Sequence, residues 1–545
     1  MRRLLPLLFA ALSLGAQPRP QPATAPAAKP GSVEGHLLDS ATGAAIANAS
    51  VTLRDTRNQV RYASVTDAAG AFQFLSVAPS EYYVLEGFVQ GYMMPPAAAM
   101  RVVNARGLVV AEDAHLNKIE LKMVPLGAIA GKVTDEDGEA LRGVFVQALQ
   151  YTFTTVSRRL DRKASATTDD RGQYRLPQLR PGRYILMAWL HTNPPVPAGP
   201  HVTNLIPAEG FLPAYYPGGP DVAQAGRILV EPASDMAGYD LRLTRAPTHH
   251  IRGQARGDLA DARRDFSFSP CQSESFDLNA AQQVVLRPNG AFDIEGVTPG
   301  QYCIATGHTG GYMTSATSVV QVKGRDIDDV AIEVPAASTL RGVVRFADPT
   351  TDPLPSMRIT LVDFFIGGLL HASMAVSPDG TFLARDLYAG WYAFQMPLPA
   401  GVYIRSMKAG EREIADGAIR MPSADVTVLL AKDAGQVSGN VQDSAGNPGA
   451  DLPLLFAPRG STRPDLIRAG RSDASGAFRV PNLPPGEYDA FAWDQDPAPE
   501  WRVLPFLKLV EDRATVVTVE ANGRASAQLK AISAKDAQEA LWKAQ

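Results

Sequence analysis

Metal-assisted hydrolysis needs imidazoles and carboxylates at fixed spacing, such as H-x-x-E with a His far downstream, holding an ion with one open position. The eight histidines are His36, His115, His191, His201, His249, His250, His308 and His371, and none has Glu three residues later. His249 and His250 are adjacent, so on a strand they face opposite ways; they read as linker histidines. No metal and no other cofactor is expected. A G-x-S-x-G elbow and a G-x-x-x-x-G-K-[ST] phosphate loop are both missing from the sequence. Asp135, Asp137 and Gly138 resemble the start of a calcium loop but lack its further ligands and distal Glu, which leaves a solvated turn. The two cysteines, Cys271 and Cys303, are either a disulfide or two buried thiols, since sequence does not say whether their Cα atoms approach within about 7 Å.

The residues left with binding chemistry are aromatics: Trp189, Trp493, and Tyr215 and Tyr216 in the stretch FLPAYYPGGPD. Aromatic faces displayed at strand ends or in an insert suit stacking on sugar rings or anchoring a partner. Packing between neighbouring domains is the other reading of the same residues.

Such residues must be carried by something. The chain has 545 residues, enough for several domains. Its 46 glycines and 43 prolines sit in a chain that is 45% hydrophobic. That combination predicts many turns between short strands rather than disorder. The formal net charge is −4 and no long basic run occurs, so a nucleic-acid partner is not expected. Arg2 and Arg3, the apolar stretch Leu4 to Leu14, and Gly15-Ala16 read as an export signal over residues 1–16. A Pro/Ala-rich linker follows over 17–31. No run of about 18 apolar residues occurs, so no membrane span is expected.

One pattern recurs five times. Gly70, Gly172, Gly290, Gly380 and Gly476 each precede an aromatic by two residues: Phe72, Tyr174, Phe292, Phe382 and Phe478. A tyrosine stands twelve residues after each glycine: Tyr82, Tyr184, Tyr302, Tyr392 and Tyr488. A polar residue followed by Gly predicts a tight turn, with Gly taking positive φ. The aromatic opens one strand, a second turn follows, and the tyrosine begins the next strand. Each copy also has an upstream glycine in an apolar strand (Gly35, Gly131, Gly253, Gly342, Gly439) and a closing stretch of alternating polarity. The closing stretches carry Ile119, Leu121 and Met123; Tyr239, Leu241 and Leu243; Val330, Ile332 and Val334; Val426, Val428 and Leu430; and Ala525, Ala527 and Leu529. Alternation of this kind fits half-buried sandwich strands. The spacing predicts β-sandwiches over 32–125, 126–246, 247–336, 337–432 and 433–530, arranged as beads on a string. A tail over 531–545 reads as a short helix or frayed end, with Ser533 and Asp536 as capping residues.

At G-x-V-x-D, T-D-x-x-G-x-[FY] and P-G-x-Y the chain resembles the carboxypeptidase regulatory-like family, whose fold is transthyretin-like and carbohydrate-binding-like. Copies two and five carry the pattern most fully, through Gly131, Asp135, Asp169, Gly172, Tyr174, Pro181, Gly182 and Tyr184, and through Gly439, Asp443, Asp473, Gly476, Phe478, Pro485, Gly486 and Tyr488. In copies three and four Arg287 and Ser377 stand where the turn Asp belongs. The resemblance implies an all-β tandem array of about five transthyretin-like or immunoglobulin-like sandwiches. Its peptidase partner domain is not in this sequence. It also extends to adhesin repeats, but no consistent Lys–Asn pair of first and last strands suggests their isopeptide cross-link.

The expectation is thus an extracytoplasmic (periplasmic, cell-surface or secreted) non-catalytic binding or scaffold protein with carbohydrate or protein as ligand. The alternatives are a cell-surface adhesin or stalk, an accessory protein of a peptidase, and an enzyme with an unrecognised site.

Overall fold

The computed structural model describes residues 29–544 apart from 56, 58–59, 95–107, 154–157, 191–207, 260–263, 272–281, 309–315, 335, 349–352, 364–369 and 495–501. The export signal and most of the linker lie outside the described residues. Most of the first sandwich forms one compact unit, and Asp39–Ala44, residues from Phe88 and the chain from Lys122 onward belong to a second that holds the other four.

Every copy is built on one plan. An opening strand pairs antiparallel with the strand that follows the glycine turn. The pairs are Gly31–Asp39 with Ala71–Val77, Gly127–Thr134 with Gln173–Leu179, and His249–Gly257 with Ala291–Val297. Ser338–Phe346 with Thr381–Leu387, and Gly435–Gln442 with Ala477–Leu483, complete the set. On the other side of the opening strand lies the closing strand. It runs parallel in the later copies: Ile327–Val334, Val426–Ala431 and Arg524–Lys530. In the second copy it is split into Asp235–Met236 and Leu241–Arg242. The facing sheet centres on the tyrosine strand, which is Ser80–Phe88, Gly182–Trp189, Gly300–His308, Gly390–Gln395 or Gly486–Ala492. Alternation along these strands sends one face inward. In Gln173–Leu179, for example, Tyr174, Leu176 and Leu179 are buried with Ile129, Val146 and Leu186.

The recurring spacing has a steric cause. The upstream glycine stands directly opposite the aromatic in all five registers: Gly35–Phe72, Gly131–Tyr174, Gly253–Phe292, Gly342–Phe382 and Gly439–Phe478. A Cβ at Gly342 would lie 2.3 Å from the Phe382 ring and 2.3 Å from the Val426 carbonyl oxygen; at Gly439 it would lie 1.8 Å from the Ala527 carbonyl oxygen. The ring and the closing strand therefore fill the space a side chain would need. The turn glycines have φ between +72° and +85°, a region that penalises any Cβ. Leu37, Val133, Ala255, Val344 and Val441 donate their N–H groups to these turn-glycine carbonyls.

The tyrosines hold the second turn. Tyr184, Tyr392 and Tyr488 are buried and donate to the carbonyls of Arg180, Tyr388 and Pro484, four residues back, at 2.7, 3.0 and 2.8 Å. Tyr302 meets Thr298 Oγ1 at 3.0 Å. Burial pushes the Tyr488 phenol up to about 12, so its O–H stays a donor. A tyrosine tying a corner to upstream backbone is a known sandwich device. In the first copy the structure corrects the expected residue. Tyr83 is the buried one and donates to Ala78, five residues back, while Tyr82 is half-buried beneath the Arg57 guanidinium at 3.6 Å. The register of this strand shifts between Ser80 and Tyr83, which places the buried tyrosine one residue later, so counting from Gly70 lands on the neighbour.

The tail is a helix, Ala534–Ala544, and Ser533 Oγ accepts from the Asp536 N–H at 3.1 Å. A second helical segment, Leu504–Leu507 running into Lys508–Arg513, was not expected from the sequence. Both cover the outer face of the fifth copy. The bead-like expectation also needs correction. Phe153, at the end of the long strand Phe145–Phe153, meets Phe506 of the fifth copy edge-on at 6.1 Å.

Candidate functional site

The four aromatics singled out in the sequence do not form a displayed surface. Trp189 is 7% exposed, Tyr215 3% and Trp493 1%. Their offset does put both tryptophans on the face opposite the frame tyrosine, as strand alternation requires. That face is covered. Trp189 and Tyr215 pack together with Leu149, Leu160, Ile185 and Met187. Trp493 lies with Phe491, Phe506, Leu507 and Val510 beneath the helical segment, its ring 5.8 Å from that of Phe491. Tyr216 is half-buried against Tyr239 at 5.3 Å. The expectation of presentation to solvent is overturned for Trp189, Tyr215 and Trp493. The sequence shows an off-frame aromatic but not the insert that folds over it.

Cys271 and Cys303 are joined as a disulfide, with Cα atoms 5.5 Å apart. Cys303 belongs to the tyrosine strand of the third copy, and Cys271 follows the adjacent strand Arg264–Pro270. By the chain-entropy model a loop of this size contributes about 3–4 kcal/mol.

The repeated aspartates are turn formers. Asp67, Asp169 and Asp473 each accept backbone N–H groups two and four residues on: Ala69 and Ala71, Arg171 and Gln173, Ser475 and Ala477. The Ser475 hydroxyl and these amides hold the Asp473 carboxyl below the usual carboxylate range. Where Arg287 and Ser377 replace the aspartate, Asn289 and Asp379 supply an oxygen to the amides of Ala291 and Thr381. The residue before the aspartate was missed by sequence reasoning. Thr66, Thr168 and Ser472 are buried, and each hydroxyl both accepts from and donates to the backbone of the preceding loop. The acidic loop at Asp135 is already filled by a cation. Arg245 pairs with Asp135, Glu136 and Asp137, which removes the calcium reading.

A well-formed concavity lies between the fourth and fifth copies, and no sequence motif pointed to it. Arg463 is 8% exposed. It donates to the Ile404 carbonyl at 2.8 Å and the Arg405 carbonyl at 3.3 Å while Asp465 grips it through both carboxylate oxygens. Asn482 Oδ1 accepts from the Gly401 N–H at 2.6 Å, and Thr462 Oγ1 donates to the Ala415 carbonyl at 3.0 Å. A buried charge with all three nitrogens bonded to backbone carbonyls or its own counter-ion fixes geometry. This lock flanks a cleft of about 710 Å³. Ile414, Ile419, Leu504 and Leu509 give it apolar walls, and Arg412, Glu413, Asp416 and Lys508 supply both charges. Among the described residues no aromatic side chain lines it. A second hollow of about 510 Å³ borders Asp416, Asp465 and Asn482.

Residues 32–92 and 128–192 match the family model of the carboxypeptidase regulatory-like domain. No curated protein matches the chain. Among solved structures, the Bacillus anthracis TIE protein is similar at 11% identity, over 72% of this chain and 68% of that one, with a TM-score of 0.17. A streptococcal ancillary pilin is 13% identical over 52% of this chain and 99% of its own, at TM-score 0.19. BcpA, the major pilin subunit of Bacillus cereus, is 12% identical over 52% and 99%, at TM-score 0.14. Among the described residues no helix is long and apolar enough to cross a membrane.

Proposed function

With two domains of the carboxypeptidase regulatory-like family at its head, the chain is a multi-domain β-sandwich protein, and we propose that it is an extracytoplasmic, non-catalytic scaffold that holds a polypeptide segment between its fourth and fifth domains. The observation that carries this reading is the cleft beside Arg463. Pre-formed hollows with apolar walls and a few placed polar groups are where ligands settle. Charges of both signs suit a peptide's side chains. A sugar would look for an aromatic face, and among the described residues neither the cleft lining nor the buried aromatics provides one. The disulfide favours an oxidising compartment.

The test is selection from a phage-displayed peptide library on the full chain, beside a glycan array. Enriched peptides that no longer bind Leu509→Glu or Lys508→Glu support the proposal. Leu509 is 43% exposed, so its replacement leaves the core intact. Glycan binding indifferent to both changes, or peptides indifferent to them, overturns it. The sandwich array as a surface adhesin or stalk is the second reading, favoured by the repetition of one plan through the chain.

A further inference from the structure

On the third sandwich the sequence led to the expectation of linker histidines and no metal. The structure puts His250 elsewhere. It lies on the opening strand His249–Gly257, with Ile251 and Ala255 facing the core and His250 and Arg252 facing out. The neighbouring strand Ala291–Val297 buries Phe292 and Ile294 and turns Asp293 and Glu295 to the same outer face. One ligand atom from each of His250, Asp293 and Glu295 lies within 4.8 Å of the others. His250 Nδ1 and Asp293 Oδ1 are already 2.8 Å apart. Asp326 and Asp328, on the other flank, are engaged by Arg252 at 3.1 and 3.0 Å, and the same guanidinium reaches Asp293 Oδ2 at 3.3 Å. Four carboxylates therefore surround a single guanidinium and an imidazole. Arg252 is committed mainly to the Asp326 side.

We infer that His250, Asp293 and Glu295 form a binding site for a divalent transition metal of the zinc class on the outer face of the third sandwich. Three observations select the class. An imidazole nitrogen with two carboxylates suits zinc, cobalt or nickel and disfavours calcium and magnesium, which take oxygen alone. Bonds of about 2.0–2.2 Å to nitrogen and oxygen ligands need only a small closing movement of three half-buried side chains. The ligands also stand on two hydrogen-bonded strands, Arg252 opposite Asp293 and Ile251 opposite Ile294, with the register shifting at His250, so the site is held by the sheet rather than by a loop. On binding, the ion takes the place of the hydrogen between His250 Nδ1 and Asp293, and the neutral ring carries its one proton on Nε2. With three protein ligands on an open face, water completes the shell. The ion clips two strands together.

The test is titration of the full chain with Zn²⁺ by calorimetry and with Co²⁺ by visible absorption, with Ca²⁺ and Mg²⁺ alongside. Saturable Zn²⁺ and Co²⁺ binding is expected, with Ca²⁺ and Mg²⁺ much weaker. His250→Ala and Glu295→Gln should each weaken Zn²⁺ by at least about ten-fold, since even outer partners of metal ligands cost that much. His115→Ala, off the site, should bind as the unaltered chain does. His250 and Glu295 are half-buried on an outer face and His115 is exposed, and unchanged melting of the metal-free variants confirms folding. No saturable Zn²⁺ binding, or His250→Ala binding as tightly as the unaltered chain, overturns the site.

Discussion

Single residues decide whether this chain can close its sandwiches at all. Gly439 is the sharpest instance, since any side chain there meets the Ala527 carbonyl. Gly439→Ala should destabilise the fifth domain by at least about 1–3 kcal/mol, the usual penalty of over-packing. Hydrogen exchange of the full chain should show faster exchange in residues 435–442 and 524–530 and unchanged exchange in the third domain. Asp489 works in the other direction. It is 8% exposed, its Oδ1 accepts no hydrogen bond among the described residues, and Arg459 Nε stands 3.7 Å away. Burial, reinforced by Glu511 and Glu487, raises its carboxyl above the ordinary range despite Arg459. The folded chain then keeps this proton to higher pH than the unfolded chain does. Its stabilising effect is fully present below about pH 4, the unfolded value, and is lost as pH rises through the folded value. Asp489→Asn should therefore raise the melting temperature of the fifth domain at neutral pH, with the gain shrinking as pH falls toward 4. Calorimetry at several pH values checks this; a gain that grows on acidification would contradict it.

At the scale of strands and turns, the first copy separates counting from packing. Tyr83 is the buried corner residue and Tyr82 rests under Arg57. Tyr83→Ala should cost about 3–5 kcal/mol, as buried aromatics do, and Tyr82→Ala much less. Exchange over residues 31–87 in the full chain distinguishes them. Equal effects would mean that the register shift does not move the corner. This copy also marks the limit of what could be read beforehand. The strand order follows from a glycine, an aromatic and a tyrosine at repeated distances, because those spacings encode contacts across paired strands. Tyr215, Trp189 and Trp493 were legible as off-frame but not as buried, because their cover comes from segments with no repeat to compare them with. Tyr215→Ala should accordingly destabilise the second domain as a core truncation would. His250 was misread for a related reason: its partners Asp293 and Glu295 are distant in sequence and meet it only through strand register.

Across the molecule, repetition of one plan does not make the domains independent. Arg463 and Asn482 tie the fifth domain to the fourth, and Phe153 of the second domain packs on Phe506. Phe153→Ala should leave the second domain's own core unaltered, since that residue is only half-buried, and raise exchange in Leu504–Arg513 by exposing part of its cover. Exchange confined to residues 145–167 would show that the contact does not matter to the fifth domain. The parallel pairing of opening and closing strands has a further consequence. In the third, fourth and fifth domains the chain enters along one strand and leaves along its hydrogen-bonded neighbour in the same direction. Entry and exit are thus at opposite ends of each sandwich. A pull on the two ends loads that whole ladder in shear, every bond at once, instead of unzipping it one bond at a time. Within the third domain the Cys271–Cys303 link also withholds 32 residues of slack, roughly 110 Å of contour at about 3.5 Å per residue. Under tension these domains resist first and lengthen late.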